Sequence, residues 1–273
     1  MSGAHMDYDF GAKRHWRRWV WNRIAEKTPN RRDAIVVYLP GAKDFDRPIA
    51  TERGFSPNNM IGVERSKSAL SEARDGGALV VEADFFHGVD AISLKREIGV
   101  VFGDFCCGLS EKAAKRVVRW LLAPPLQYAT FAFNILRGRD KSCEHVYLSM
   151  REDFGKDRGK IFVHWVLMNV AKMLDEAAGE LGDADRAYRR YVYMLDCADP
   201  VFHSYMSESG QVFDTVVFKN PYHANSRKLD FDYSAIYKSR GLLSDKNGIA
   251  AKRSTAAVLA HKTMREKRIG IYK

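Results

Sequence analysis

The sequence predicts an α/β protein built on a doubly wound, mainly parallel sheet of about seven strands. Helices cover both faces and an antiparallel hairpin closes the sheet near its carboxyl end. Two observations carry this prediction. Short, β-branched, almost wholly apolar runs recur through the first half, alternating with segments that hold helix start and stop signals. Runs that are apolar on both faces mark buried parallel strands, and past residue 180 they give way to the alternation of antiparallel ones.

Met1–Met6 (MSGAHM) reads as a cloning remnant, and residues 7–32 as a basic N-terminal helix. Ala34–Leu39 is the first strand, stopped by Pro40-Gly41. Phe45–Phe55 is helical, with a break at Ser56-Pro57. Met60–Arg65 is the second strand; Ser66 then caps a helix that Gly76-Gly77 ends. Ala78–Asp84 is the third strand, and a mixed segment with a short helix follows it to Glu97. Ile98–Cys106 is the fourth, apolar until Asp104. Ser110 and Glu111 open a helix that runs to Leu122 and stops at Pro124-Pro125. Tyr128–Leu136 is the fifth strand. Lys160–Gly179 is a long helix, with Val163, Val166, Leu167, Val170, Met173 and Leu174 at helical spacing. Tyr188–Asp196 and Gln211–Lys219 read as late strands, with room for a third at Phe202–Met206.

Composition excludes disordered, collagen-like and membrane-spanning classes: of 273 residues 46% are hydrophobic and 29% charged. No export signal is visible, so the cytoplasm is expected, with Cys106, Cys107, Cys143 and Cys197 as reduced thiols. The cysteines and histidines lack metal-ligand spacing, and no metal is expected. The net charge of +10 is uneven. Residues 12–32 hold eight Lys/Arg and one Glu, and residues 240–273 hold nine Lys/Arg and two acids. Two basic ends on a mildly acidic body point to a polyanion, most often nucleic acid.

The strand ends carry the functional signal. In doubly wound sheets the ligand lies at the carboxyl ends of the strands. Here these ends hold Leu39-Pro40-Gly41, Glu64-Arg65, Asp84-Phe85 and Asp104-Phe105-Cys106-Cys107. Three of the four hold an acid.

This series, across about residues 33–220, resembles the class I, Rossmann-like S-adenosylmethionine (SAM)-dependent methyltransferases. The resemblance implies that Leu39, Pro40 and Gly41 form the turn under the methionine part of the cofactor. It implies that Glu64 holds the ribose hydroxyls beside Arg65, and that Asp84 with Phe85 meets the adenine. The fourth-strand segment Gly103-Asp104-Phe105-Cys106-Cys107-Gly108 matches the catalytic motif, which makes Asp104, Phe105 and Cys107 the candidate catalytic residues and puts Asp104 beside the cofactor. The chain departs from the family in having one glycine in the first turn. It also lacks the (Asp/Asn)-Pro-Pro-(Tyr/Phe) motif of adenine and cytosine amino-methyltransferases.

Each residue has a structural alternative. Glu64 could be a charge at a helix start, and Asp84 a cap for the helix after it. Asp104 ends an apolar strand, where a carboxylate has to be solvated or paired. There it could orient or deprotonate an amine or hydroxyl. Cys107 as a nucleophile would follow the Asp-x-x-Cys spacing of RNA cytosine C5 enzymes. Asn220-Pro221-Tyr222-His223 reads as a turn. Arg14, Arg17 and Arg18, interleaved with Trp16, Trp19 and Trp21, suit a nucleic-acid contact or a helix that packs its Trp face on the domain. The C-terminal residues Lys252, Arg253, Lys262, Arg265, Lys267 and Arg268 form a basic tail after an extended arm (221–273). That tail is similar to basic terminal helices of phage and mobile-element proteins. The competing readings are a catalytically silent methyltransferase-like binding module and an NAD enzyme.

Overall fold

The computed structural model describes residues 11–105, 107–137, 150, 153–177 and 184–221. Its core is one seven-stranded sheet in the order β3-β2-β1-β4-β5-β7-β6. The strands are β1 (Val36–Tyr38), β2 (Met60–Glu64), β3 (Leu79–Glu82), β4 (Val100–Asp104), β5 (Thr130–Leu136), β6 (Val201–Met206) and β7 (Val212–Lys219). The first five are parallel; β7 runs antiparallel to both β5 and β6. The fold is therefore a Rossmann-like α/β sandwich closed by an antiparallel hairpin, as expected.

The helices are α1 (Gly11–Lys27), α2 (Asp46–Glu52), α3 (Lys67–Asp75), α4 (Phe85–Ser93), α5 (Glu111–Leu121), α6 (Arg158–Ala177) and α7 (Ala184–Ala198). Ser110 caps α5 as expected, its hydroxyl accepting from the Ala113 N–H at 3.2 Å. Ser66 stands at the N-cap of α3, but its side chain makes no capping bond. Asp84 caps α4 by accepting from the Phe86 N–H at 3.1 Å.

One expected strand is a helix. Tyr188–Asp196 lies within α7. Its aromatic and β-branched residues read as strand by type, yet the buried ones are Tyr191, Met194 and Ala198. That spacing of three and four is helical, and it seats α7 against α6. The helix expected over Lys160–Gly179 is α6, which starts two residues earlier, after Asp157 accepts from the Lys160 N–H at 3.0 Å.

Strand alternation sorts the core into two layers. On one face Val36, Tyr38, Val100, Phe102, Ala132 and Val217 pack with Trp16, Val20, Trp21 and Ile24 of α1. On the other, Val37, Val101, Phe131, Phe133, Val216 and Phe218 pack with Phe85, α5 and α6. The basic N-terminal helix is thus a core element whose Trp16 and Trp21 are fully buried. Of the C-terminal basic tail and the arm before it, all but Pro221 lies outside the described residues, as do Cys106 and Cys143.

Candidate functional site

The chain runs outward from β1 through β2 to β3, then crosses back to β4. The crevice between the carboxyl ends of β1 and β4 is the topological switch point, where doubly wound folds bind ligands. The turn after β1 is tightly set. Gly41 has φ of +62°, which costs glycine nothing. Pro40 folds back over β2 so closely that a Cβ on Gly62 would sit 2.8 Å from its ring. The Tyr38 hydroxyl bonds both oxygens of Asp44 at 2.8 Å, and Arg47 pairs with that carboxylate at 3.2 Å. Burial, reinforced by the Asp44 charge, pushes the Tyr38 hydroxyl far up, so it stays a donor.

Glu64 ends β2, with one oxygen accepting from the Ser66 N–H at 2.7 Å. Arg65 is exposed. Asp84 is half-exposed and caps α4, the structural alternative recognised for it. Asp104 ends β4 on the α1 side of the sheet. Of the two states open to a carboxylate there, solvated or paired, the structure has the paired one. Lys13 of α1 reaches its Oδ2 at 2.9 Å, and the Asn134 amide donates to Oδ1 at 2.8 Å. Burial alone would raise the carboxyl, but the Lys13 charge and the two hydrogen bonds outweigh it and hold Asp104 below the ordinary range.

A bonded chain extends from there. Asn134 accepts from the Thr215 hydroxyl at 2.8 Å, and Thr215 accepts from the Trp16 indole at 2.7 Å. Helix α1 therefore grips Asp104 twice, directly through Lys13 and indirectly through Trp16. One turn along α1, Arg17 lies 3.7 Å from the buried Asp46, which also accepts from the Trp21 indole at 2.8 Å. Burial pushes Asp46 up to about 6 against the pull of Arg17, and the nearby Asp104 charge adds to the rise. Lys13 and Arg17, four residues apart, share one helix face and match two carboxylates.

The remaining expected residues separate. Phe105 turns to the opposite face, buried and stacked flat on Phe86 with centroids 5.6 Å apart. Phe85 is buried in the same aromatic layer. Cys107 is exposed, and its carbonyl accepts from the Leu136 N–H at 3.3 Å. Arg17, expected at a nucleic-acid surface, is 4% exposed and committed to Asp46. Only Arg14 and Arg18 of that triplet face solvent. The other expected phosphate-contacting residues, Lys252, Arg253, Lys262, Arg265, Lys267 and Arg268, lie outside the described residues. Among the described residues no group of three or more His, Cys, Asp or Glu could hold a metal ion. No helix among them is long and apolar enough to cross a membrane.

Sequence reasoning missed Lys13, Asp46 and Asn134. Asn134 carried a signal: it is the lone amide in the apolar strand Thr130–Leu136, and it pairs in register with Asp104. Lys13 and Asp46 carried none, because their partners come from distant elements.

No family model and no curated protein matches this chain. Among solved structures it is similar to an O-methyltransferase from Bacillus cereus in complex with SAH (S-adenosylhomocysteine), at 9% identity. That match covers 79% of this chain and 83% of the other, with a TM-score of 0.40. An rRNA methylase from Streptococcus thermophilus shows 12% identity over 74% of this chain and 94% of the other, at 0.40. A precorrin-6y C5,15-methyltransferase from Geobacter metallireducens shows 14% identity over 74% and 87%, at 0.33. Scores this low carry no argument about activity, and the fold stands on the strand pairing itself. Nothing in these likenesses points to a phage or mobile-element source.

Proposed function

We propose that this chain is a SAM-dependent methyltransferase acting on nucleic acid. One observation carries the reading: Asp104 stands at the switch-point crevice opposite the left-handed Gly41 turn, with the Glu64 carboxylate one strand further out. The residues fit the cofactor's parts. Glu64 uses one oxygen on Ser66 and makes no bond with the other among the described residues, which leaves an acceptor for a ribose hydroxyl. Gly41, in the left-handed region, carries no side chain to hold a ligand off its backbone. SAM would supply an electrophilic methyl group; the chain would hold an acceptor atom in line with it, with Asp104 as orienting group. The net charge of +10 and the exposed Arg14 and Arg18 favour a polyanionic acceptor.

A second reading has its own support. With both Asp104 oxygens engaged and Asp84 serving as a cap, the fold could be a silent, methyltransferase-like binding module. Calorimetry with SAM and, separately, NAD divides the readings. Saturable SAM binding that weakens about a hundredfold in Glu64→Ala, or ~2–3 kcal/mol, supports the enzyme. No SAM binding by the wild-type chain sinks it.

A further inference from the structure

Between Phe131 and Leu136 strand β5 is apolar except at Asn134, which is fully buried. A buried amide costs stability relative to an apolar side chain unless its polar atoms are bonded. Here each of them is. The amide nitrogen donates to Oδ1 of Asp104 at 2.8 Å and to the Tyr205 hydroxyl at 3.2 Å. The amide oxygen accepts from the Thr215 hydroxyl at 2.8 Å, and Thr215 accepts from the Trp16 indole at 2.7 Å. This chain of bonds runs in one sense only. An indole N–H donates and cannot accept; an ionised carboxylate accepts and cannot donate. Trp16 therefore turns the Thr215 proton towards Asn134, and that bond turns the amide N–H groups towards Asp104 and Tyr205. The flipped amide would face a carboxylate oxygen with its own oxygen, two acceptors with no proton between them.

We propose that Asn134 is a positioning residue for Asp104, and that Thr215 and Trp16 act through it as a relay of fixed direction that holds the carboxylate in one orientation as a hydrogen-bond acceptor. Bonds in such a chain polarise one another, so a change at Trp16, three hydrogen bonds away, is felt at Asp104. An apolar residue at position 134 would bind the layers together with no such effect. The role served rests on the proposed function, in which Asp104 orients the methyl acceptor: an orienting anion works only when its rotamer and charge are set before the acceptor arrives.

The test is the titration of Asp104 in the whole chain. It is read by NMR from isotope-labelled aspartate carboxyl carbons and assigned by the signal lost in Asp104→Asn. The other charges facing Asp104, Lys13 and Arg17 of α1 and Asp46 of α2, stay in place in every other variant. Asn134→Leu leaves Oδ1 without its donor and should raise the midpoint by about one pH unit. Thr215→Val keeps the shape and loses the hydroxyl; it should raise the midpoint by roughly half as much, and Trp16→Phe by less again. Thr215→Ser restores the hydroxyl and should restore the wild-type midpoint. Where a chain unfolds before Asp104 titrates, the fraction ionised at the lowest pH that keeps all variants folded gives the same ranking. Val20→Ala, in the same layer as Trp16, loosens packing without touching the relay. It should lower the melting temperature and leave the Asp104 midpoint where it was. If Asn134→Leu does not fold, the Thr215 pair decides. A midpoint unmoved in Thr215→Val, or moved equally by Thr215→Ser or Val20→Ala, overturns the proposal and makes the chain of bonds a fastening only. The titration needs neither cofactor nor methyl transfer. SAM binding by the wild-type chain therefore fails or succeeds independently, and loss of the methyltransferase reading is told apart from loss of the relay.

Discussion

The two faces of the sheet solve the same packing problem with different chemistry. The face under α4, α5 and α6 is aromatic: Phe105, Phe131, Phe133, Phe162 and Phe218 form a continuous cluster of stacked, tilted and edge-on rings, with centroid separations of 5.4–6.4 Å. Among the described residues, charge on this side is buried only in tight pairs: Arg137 with the fully buried Asp214 at the strand ends, and Arg190 of α7 with Asp175 of α6 at 2.7 Å. The face under α1 buries a polar network that includes Asp46, Asp104 and Arg17. An apolar layer is stabilised in proportion to the area it removes from water, at all pH values. A layer with buried charges depends on partners, geometry and protonation, which ties it to whatever binds at the strand ends.

The largest expected effect lies on the aromatic face. Phe133→Ala should cost about 3–5 kcal/mol, because the ring is fully buried among four others and the cavity cannot collapse. Urea unfolding would show it as a lower midpoint, with the loss the same at pH 5 and pH 8. A strong pH dependence of that loss would erase the contrast between the faces. On the α1 face, Asp46→Ala should cost about 3 kcal/mol, since it removes the buried carboxylate 3.7 Å from the buried Arg17 charge. The double variant Asp46→Ala/Arg17→Met should recover a large part of it. Additive losses would mean the pair, 3.7 Å apart, does not interact.

Protonation separates the faces further, and the two carboxylates act in opposite directions. Asp46 is raised to about 6 in the folded chain from an ordinary 3.8. The folded state therefore holds the proton more tightly. Stability falls as pH rises from about 4 to about 6, by up to ~2–3 kcal/mol. Asp104 is lowered by its partners, so its contribution is present above about pH 4 and is lost as pH drops through its folded value. Thermal melts of Asp46→Asn across pH 4–7 should lack the decline between 4 and 6 expected of the wild-type chain. A parallel pair of curves would refute the assignment. The smallest effect returns to the aromatic side. Ser110→Ala should cost about 1 kcal/mol by removing the α5 cap, with no pH dependence, read from the same melts.

How much of this was legible follows from which interactions are local. The strands Met60–Glu64 and Thr130–Leu136, the Ser110 cap and the Asp104 strand end were readable, since each depends on residue type within a few positions. The error at Tyr188–Asp196 came from weighing β-branched and aromatic content above spacing, although the positions buried against α6 follow a helical period. Arg17 was misplaced for another reason. A Trp-Arg alternation does not say which arginine turns inward, and only the buried Asp46, 29 residues downstream in sequence, decides it. Lys13 on Asp104 lay beyond local reading altogether, since α1 and β4 meet only once the sheet has formed.

That the first helix closes on the last strand has a consequence for how the chain is made. Trp16 and its partner Thr215 are 199 residues apart, and Lys27 finds Asp199 across 172. At about 5–20 residues per second of synthesis, α1 waits roughly 10–40 s on the ribosome before β7 emerges. For that time α1 can lie on β1, β4 and β5, but Trp16 lacks its Thr215 bond and its Tyr205 neighbour, so that edge of its tryptophan face is open to chaperones or to other nascent chains. Contacts of such long range also slow folding once synthesis ends. A chain halted before residue 212 should accumulate with α1 only partly docked, and its greater vulnerability to proteases would then mark the moment at which the sheet acquires its final strand.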